Sequence, residues 1–291
     1  MEKMVSANGV ELCVETFGDQ RDPAILLIHG ASASMDYWEV PFCERLAAGP
    51  RFVIRYDARD TGRSVNDEPG KPEYGPGDLV ADAAAVLDAI GVARAHVVGI
   101  SMGGGLAQRL VVDFPDKVAS VTLISTSPDG PGGPSDPKLP PMSEKLRAVF
   151  AEDAPAPDWS DREAALQGLI DDEKLYAGSL PFDERARREL LGRMIDRTRN
   201  LAAAMTNHWL LEGGEPVRSR LGQIGVPALV LHGTEDPLFP LGHGEALARE
   251  IPGARLVLLE HAGHELPEPV WEVAIPEILA ITALPGRLAE Q

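Results

Sequence analysis

The stretch from Val97 to Gly105 constrains the fold of this chain more than any other. An apolar, β-branched run ends at Gly99, Ser101 follows, and three glycines and a helix-like segment with one apolar face come next. Ser101 therefore stands where a strand turns abruptly into a helix, in the pattern Gly-x-Ser-x-Gly. Such a turn strains the serine backbone, and the flanking Gly99 and Gly103 have no Cβ to clash with the crossing chain. We expect the Ser101 hydroxyl to be exposed at the tip of the turn, where it could act as a nucleophile.

Apolar strand runs alternate with helical segments along most of the chain. Asn8-Gly9 is a hairpin signal before a half-buried strand over Val10–Phe17, and Asp78 is the expected N-cap of a helix that runs to Ile90. Besides the run that ends at Gly99, further strand runs are predicted at 24–28, 51–56, 118–124, 226–233 and 255–260. Strands that alternate with helices predict an α/β fold with a doubly wound, mostly parallel sheet. Ligands of such sheets bind beyond the carboxyl ends of the strands.

A change of composition interrupts this alternation in the middle of the chain. Residues 127–137 are rich in proline and glycine, and the sequence from Met142 to Leu221 shows helical apolar spacing, including one predicted helix over 198–211. The sequence therefore predicts a core domain over 1–126 and 222–291. Residues 127–221 are predicted to form an inserted helical lid.

The bulk composition excludes several classes of partner. The formal net charge is −18 in 291 residues, which disfavours nucleic acid and anionic membranes.

The N-terminus lacks the apolar core of a signal peptide, and no run has the length of a membrane span, so a cytoplasmic location is expected. Cys13 and Cys43 are expected to be reduced, and no spacing indicates a metal site. Residues 103–105 lack the Lys-Ser/Thr ending of a phosphate loop, and the sequence does not indicate an oligomeric state.

Two later strand ends carry the residues that could activate Ser101. Asp236 follows the predicted strand 226–233, and His264 follows the predicted strand 255–260. The chain order Ser, Asp, His is that of the serine hydrolases built on this type of sheet. Neighbouring residues remain as alternatives: Glu235 and Asp129 for the carboxylate, and His261 for the histidine.

The chain resembles the α/β-hydrolase superfamily over essentially its whole length. The motifs that carry the resemblance are His29-Gly30, residues 57–64, Gly99 to Gly103, residues 233–237, and His261 to His264. Within the superfamily, residues 53–64 and 95–99 are similar to those of aclacinomycin methylesterase and related polyketide carboxylic-ester hydrolases. The predicted lid matches none of these.

The resemblance implies a role for each matched position. Ser101 would be the nucleophile, His264 the general base and later the general acid, and Asp236 the group that orients the imidazole. The backbone N–H groups of Ala31 and Met102 would form the oxyanion hole. No cofactor is implied. Epoxide hydrolases and haloalkane dehalogenases of this fold need an aspartate where Ser101 stands.

The predicted function is hydrolysis of a small-molecule carboxylic ester through an acyl-enzyme. The substrate could be a methyl ester or lactone of a polyketide-like molecule. The same three residues would also serve a carbon–carbon bond hydrolase, a thioesterase or a cofactor-free haloperoxidase, and a non-enzymatic ligand receptor is a further alternative. The candidate pocket residues are His29, Trp159, Met205, His208 and Trp209.

Overall fold

The computed structural model describes residues 2–133, 136, 138–152, 157–212 and 214–283. One sheet of eight strands forms its centre. The strands are β1 (Lys3–Ala7), β2 (Val10–Phe17), β3 (Ala24–Ile28), β4 (Phe52–Tyr56), β5 (Ala95–Ile100), β6 (Val118–Ile124), β7 (Ala228–Gly233) and β8 (Arg255–Leu259). The helices are α1 (Val40–Ala48), α2 (Pro76–Ala89), α3 (Met102–Asp113), α4 (Glu144–Ala151), α5 (Arg162–Tyr176), α6 (Glu184–Arg197), α7 (Leu201–Thr206), α8 (Gly242–Glu250) and α9 (Trp271–Thr282).

The strand order is β1-β2-β4-β3-β5-β6-β7-β8. The strands from β4 to β8 pair in parallel, whereas β1 and β2 are antiparallel to their neighbours. Asn8 and Gly9 both have positive φ (49° and 78°), which matches the right-handed twist of the β1–β2 hairpin. The predicted α/β fold with a mostly parallel sheet is confirmed.

Two apolar layers cover the two faces of the sheet. One contains buried side chains of α2, α3 and α8, and the other contains those of α1 and α9. Helices on both faces explain why all five residues of β3 and all five of β4 are buried. Among the described residues, no helix is long and apolar enough to cross a membrane. Cys13 and Cys43 are both free and buried.

Local capping shifts two helices from their predicted positions. The prediction that Asp78 caps α2 is wrong: the helix begins at Pro76, and the Asp78 carboxylate accepts the backbone N–H of Gly75 at 2.9 Å. The predicted helix over 198–211 is also wrong at both ends. Thr198 caps the C-terminus of α6, and α7 is followed by a 3₁₀ helix over Asn207–Leu210.

Helices α4 to α7 and the 3₁₀ helix over Asn207–Leu210 lie in the chain between β6 and β7, and we call this segment the helical insertion. Its helices α5, α6 and α7 share an apolar cluster, in which α5 packs on α6. Arg197, the last residue of α6, bonds to both oxygens of the buried Asp57 carboxylate at 3.0 and 2.7 Å. The insertion is thus fixed to the loop that follows β4.

Candidate active site

Ser101 lies between β5 and α3 with φ 55° and ψ −123°, a conformation that non-glycine residues rarely adopt. A Cβ on Gly99 would lie 2.2 Å from the carbonyl oxygen of Gly103. A Cβ on Gly103 would lie 2.3 Å from the carbonyl oxygen of Ile28. Both positions therefore require glycine because three backbone segments cross there. The strained turn holds Ser101 above the carboxyl ends of the strands.

His264 bridges the other two predicted residues. Its Nε2 lies 2.8 Å from Ser101 Oγ, and its Nδ1 lies 2.9 Å from Asp236 Oδ2. The Asp236 side chain is fully buried and that of His264 is 11% exposed. With Nδ1–H donating to the carboxylate, Nε2 is free to accept the hydroxyl proton of Ser101. The geometry is that of a nucleophile, a base and an orienting carboxylate.

Asp236 is held ionised in spite of its burial. Burial raises the pKa of this carboxyl, but the facing His264 and the Phe239 N–H lower it, and the net result is a pKa below the usual value. Its Oδ1 accepts the N–H groups of Leu238 and Phe239 at 2.9 and 2.8 Å. A carboxylate that accepts backbone N–H groups is stabilised in its charged form.

The alternative residues lie elsewhere. Glu235 bonds to His261 Nδ1 at 3.0 Å and to the hydroxyl of Ser179 at 2.9 Å, and this group is exposed. Asp129 forms an ion pair with Arg109. Neither alternative carboxylate contacts the imidazole that faces Ser101.

The loop after β3 packs directly against Ser101. A Cβ on Gly30 would lie 3.2 Å from the Cβ of Ser101. Ala31 follows in this loop and lines the cavity above the serine. Met102 is the first residue of α3, and the first N–H groups of a helix have no partner within it. Ala31 and Met102, the two predicted oxyanion donors, thus lie on either side of Ser101.

A largely apolar cavity of about 370 Å³ opens above Ser101 and His264. Four of the predicted pocket residues line it: His29, Trp159, Met205 and Trp209. Burial lowers the pKa of His29 to about 4, so its imidazole is neutral at neutral pH. Several further apolar or aromatic residues also line the cavity and were not predicted from the sequence, namely Tyr37, Trp38, Ile100, Leu169, Tyr176 and Leu238.

The prediction that His208 lines this cavity is wrong. His208 is 6% exposed, and both of its ring nitrogens bond to backbone groups of the core. Its Nδ1 accepts the N–H of Ser32 at 3.0 Å, and its Nε2 lies 2.9 Å from the carbonyl oxygen of Arg59. The neighbouring Trp209 faces the cavity instead, because the two side chains leave the short 3₁₀ helix in different directions.

Ionisable groups that the sequence analysis did not single out also line the cavity. They are the carboxyl groups of Glu39, Asp172, Glu173 and Glu265 and the guanidinium of Arg187. Arg187 bonds to Glu173 at 2.7 and 2.5 Å. Burial raises the pKa of Glu39, Asp172 and Glu265. No local sequence pattern marks these residues, since the start of α1, the helices α5 and α6, and the loop after β8 bring them together.

Comparison with known proteins agrees with this architecture. Residues 23–268 match the alpha/beta hydrolase fold family. The chain is 35% identical over 295 residues to a rhodomycin D methylesterase of Streptomyces sp. strain C5, covering 96% of this chain and 97% of the relative. It is 34% identical to a rhodomycin D methylesterase of Streptomyces peucetius, with the same coverage. It is 27% identical to a 2-hydroxy-6-oxo-6-phenylhexa-2,4-dienoate hydrolase of Comamonas testosteroni, covering 83% of this chain and 81% of that one.

Solved structures show the same fold at low identity. An esterase from Exiguobacterium antarcticum superimposes with a TM-score of 0.76 at 20% identity, covering 98% of this chain and 100% of that one. The chain belongs to the α/β hydrolase fold family. Within that family it is a carboxylic ester hydrolase.

Proposed function

We propose that this chain hydrolyses a methyl ester of a polyketide-sized small molecule through an acyl-enzyme formed on Ser101. One observation carries the proposal: the continuous relay from Ser101 Oγ through His264 to Asp236, with both distances below 3.0 Å, at the floor of an apolar cavity. A serine hydroxyl is too weakly acidic to attack an ester unaided, and the relay supplies the base.

The reaction proceeds in two halves. Ser101 Oγ attacks the ester carbonyl carbon while its proton passes to His264 Nε2. The backbone N–H groups of Ala31 and Met102 stabilise the oxyanion, and the imidazolium returns the proton to the leaving alcohol. A water molecule then gives its proton to His264 and attacks the acyl-enzyme. Ser101 recovers its proton, and the carboxylic acid product leaves.

The substrate class follows from the relatives and the cavity. The two rhodomycin D methylesterases that are 35% and 34% identical to this chain are both named for a methyl ester. A cavity of about 370 Å³ lined by tryptophan, tyrosine and methionine can enclose a large part of a fused aromatic ring system. We propose that residues 127–221, which contain the helical insertion, act as the lid that shapes this cavity.

The charge of the cavity favours an ester over the carbon–carbon alternative. Four carboxyl groups and one guanidinium line it. The Comamonas relative is named for a dienoate, which is an anion, and each carboxyl group of the lining that is ionised would repel such a substrate. An uncharged methyl ester enters without this penalty, and its carboxylate product is repelled as it forms.

The test compares two serines that each lie beside a histidine and a carboxylate. Wild-type protein, Ser101→Ala and the control Ser179→Ala would be assayed with p-nitrophenyl butyrate, a serine-reactive phosphonate and a panel of aromatic polyketide methyl esters. We expect Ser101→Ala to lose about 10⁶-fold in kcat, as for other serine nucleophiles, and Ser179→Ala to keep wild-type activity.

Two outcomes would contradict the proposal. Phosphonate labelling that persists in Ser101→Ala would refute the nucleophile. A wild-type enzyme that cleaves the dienoate but none of the methyl esters would refute the substrate class and establish the carbon–carbon alternative.

A further inference from the structure

The loop that carries Ala31 adopts a conformation that needs support from outside. Ser32, the next residue, has φ 61°, where a side chain is strained. Gly30, on the other side of Ala31, lies so near Ser101 that a Cβ on it would be 3.2 Å from the Ser101 Cβ. The direction of the Ala31 N–H therefore depends on whatever holds Ser32 in place.

Two adjacent residues of the helical insertion hold Ser32. His208 Nδ1 accepts its backbone N–H at 3.0 Å, and Trp209 Nε1–H donates to its hydroxyl at 2.9 Å. The preceding Asn207 is itself anchored to the core, donating to Asp60 at 2.8 Å and accepting the Gly70 N–H at 2.7 Å. The insertion thus reaches the loop through a fixed segment.

The partners of His208 define its protonation state. A backbone N–H can only donate and a carbonyl can only accept, so Nδ1 carries no proton and Nε2–H donates to the Arg59 carbonyl. Burial lowers the pKa of His208 to about 4. The nearby His29 also lowers this pKa, whereas Asp60 raises it. The imidazole is therefore neutral at neutral pH and keeps its acceptor for Ser32.

We infer that His208 is a positioning residue, which fixes the Gly30–Ser32 loop and so directs the Ala31 N–H toward the oxyanion. The inference rests on the proposed function, in which that N–H stabilises the tetrahedral intermediate. His208 contacts the loop backbone rather than the cavity, so it acts on the rate of the chemical step and not on substrate binding.

Two substitutions test the two ring nitrogens of His208 one at a time. The amide oxygen of His208→Asn reaches as far as Nδ1 and can accept the Ser32 N–H. The longer amide of His208→Gln reaches as far as Nε2 and keeps only the Arg59 contact. With p-nitrophenyl butyrate we expect His208→Gln to lower kcat about 10- to 100-fold with KM unchanged, below the 10²- to 10³-fold loss for deleting a donor outright. His208→Asn should recover most of this loss.

A matched control distinguishes positioning from general stability. His96 is buried to a similar extent, and its Nδ1 lies 2.8 Å from Ser120 Oγ, but it is the second residue of β5, at the end of that strand away from Ser101. His96→Gln should lower the melting temperature without lowering kcat. For the wild-type enzyme, ¹H–¹⁵N NMR at neutral pH should show His208 as the Nε2–H tautomer, a result that needs no variant to fold.

The inference is overturned if His208→Gln keeps wild-type kcat, if it raises KM alone, or if NMR finds His208 charged or protonated on Nδ1. These results differ from failure of the proposed function, which would show as phosphonate labelling that survives Ser101→Ala.

Discussion

Two histidine–carboxylate pairs lie side by side in this molecule, built from the same two loops. His264 and Asp236 form one, and His261 and Glu235 form the other; their nitrogen–oxygen distances are 2.9 and 3.0 Å. The first pair is almost fully buried, whereas the side chains of the second are 65% and 39% exposed. Two histidine–carboxylate pairs of similar geometry therefore lie next to each other, one buried and one exposed.

Each pair also lies beside a serine, but only one forms a relay. His264 presents one ring nitrogen to Asp236 and the other to Ser101. His261 uses Nδ1 for Glu235 and the same nitrogen faces Ser179 Oγ at 3.4 Å. No proton can pass from Ser179 through that ring to Glu235. The comparison shows that a catalytic arrangement depends on which atoms face each other and on burial, not on the residue types alone.

The two pairs should differ most in kcat when each carboxylate is replaced by its uncharged amide. Asp236→Asn should lower kcat about 10⁴-fold. The uncharged amide stabilises neither the His264 imidazolium nor the neutral tautomer that carries its proton on Nδ1. Glu235→Gln should stay within about threefold of wild type, since the exposed Glu235 bonds to His261 and Ser179 and not to His264 or Ser101. Steady-state kinetics measure both. Equal losses in the two variants would mean that the exposed pair takes part in the reaction.

The segment that joins α5 to α6 connects the insertion to both histidines. His264 N–H donates to the Tyr176 carbonyl at 2.8 Å, and Ser179 N–H donates to the His261 carbonyl at 3.1 Å. A Cβ on Gly178 would lie 2.1 Å from that His261 oxygen. The segment therefore fits against the histidine loop only with glycine at this position.

Gly178→Ala should displace the histidine loop. We expect kcat to fall about 10-fold or more, since small misplacements of catalytic groups are costly, and the free energy of unfolding to fall by about 1–3 kcal/mol from overpacking. Gly222→Ala is the control, because no atom of the described residues lies within 4 Å of a Cβ at that position. Kinetics and denaturant unfolding test both variants, and a wild-type kcat in Gly178→Ala would show that the loop is set independently of the insertion.

The smallest expected effect concerns the exposed pair alone. Glu235 raises the pKa of His261 above its ordinary value of 6.5. Any stability from this pair is present below that value and is lost as the pH rises through the folded pKa. NMR titration of the imidazole Cε1 proton should show this raised pKa, and Glu235→Gln should return it toward the ordinary value. An unchanged His261 titration would mean that the ion pair does not form in solution.

Much of the fold and part of the site could be predicted from sequence because their causes are local. Gly99 and Gly103 identify a turn that only glycine permits, and apolar runs of five or six residues between helices indicate parallel strands. Helix boundaries could be predicted less well, because residues at several positions can cap the same helix. At α2, Asp78 accepts the Gly75 N–H from inside the helix instead of preceding it.

The sequence by itself determined an α/β fold with a doubly wound, mostly parallel sheet, and it narrowed the candidate relay to Ser101, two histidines and three carboxylates. Resemblance to the superfamily favoured His264 and Asp236 over their neighbours. Only the tertiary structure placed His264 against Ser101, turned His208 away from the cavity onto Ser32, and lined the cavity with carboxyl groups from the start of α1, from α5 and from the loop after β8. The physical reason is that burial and side-chain direction arise where distant segments pack together, and no local spacing in the chain specifies those contacts.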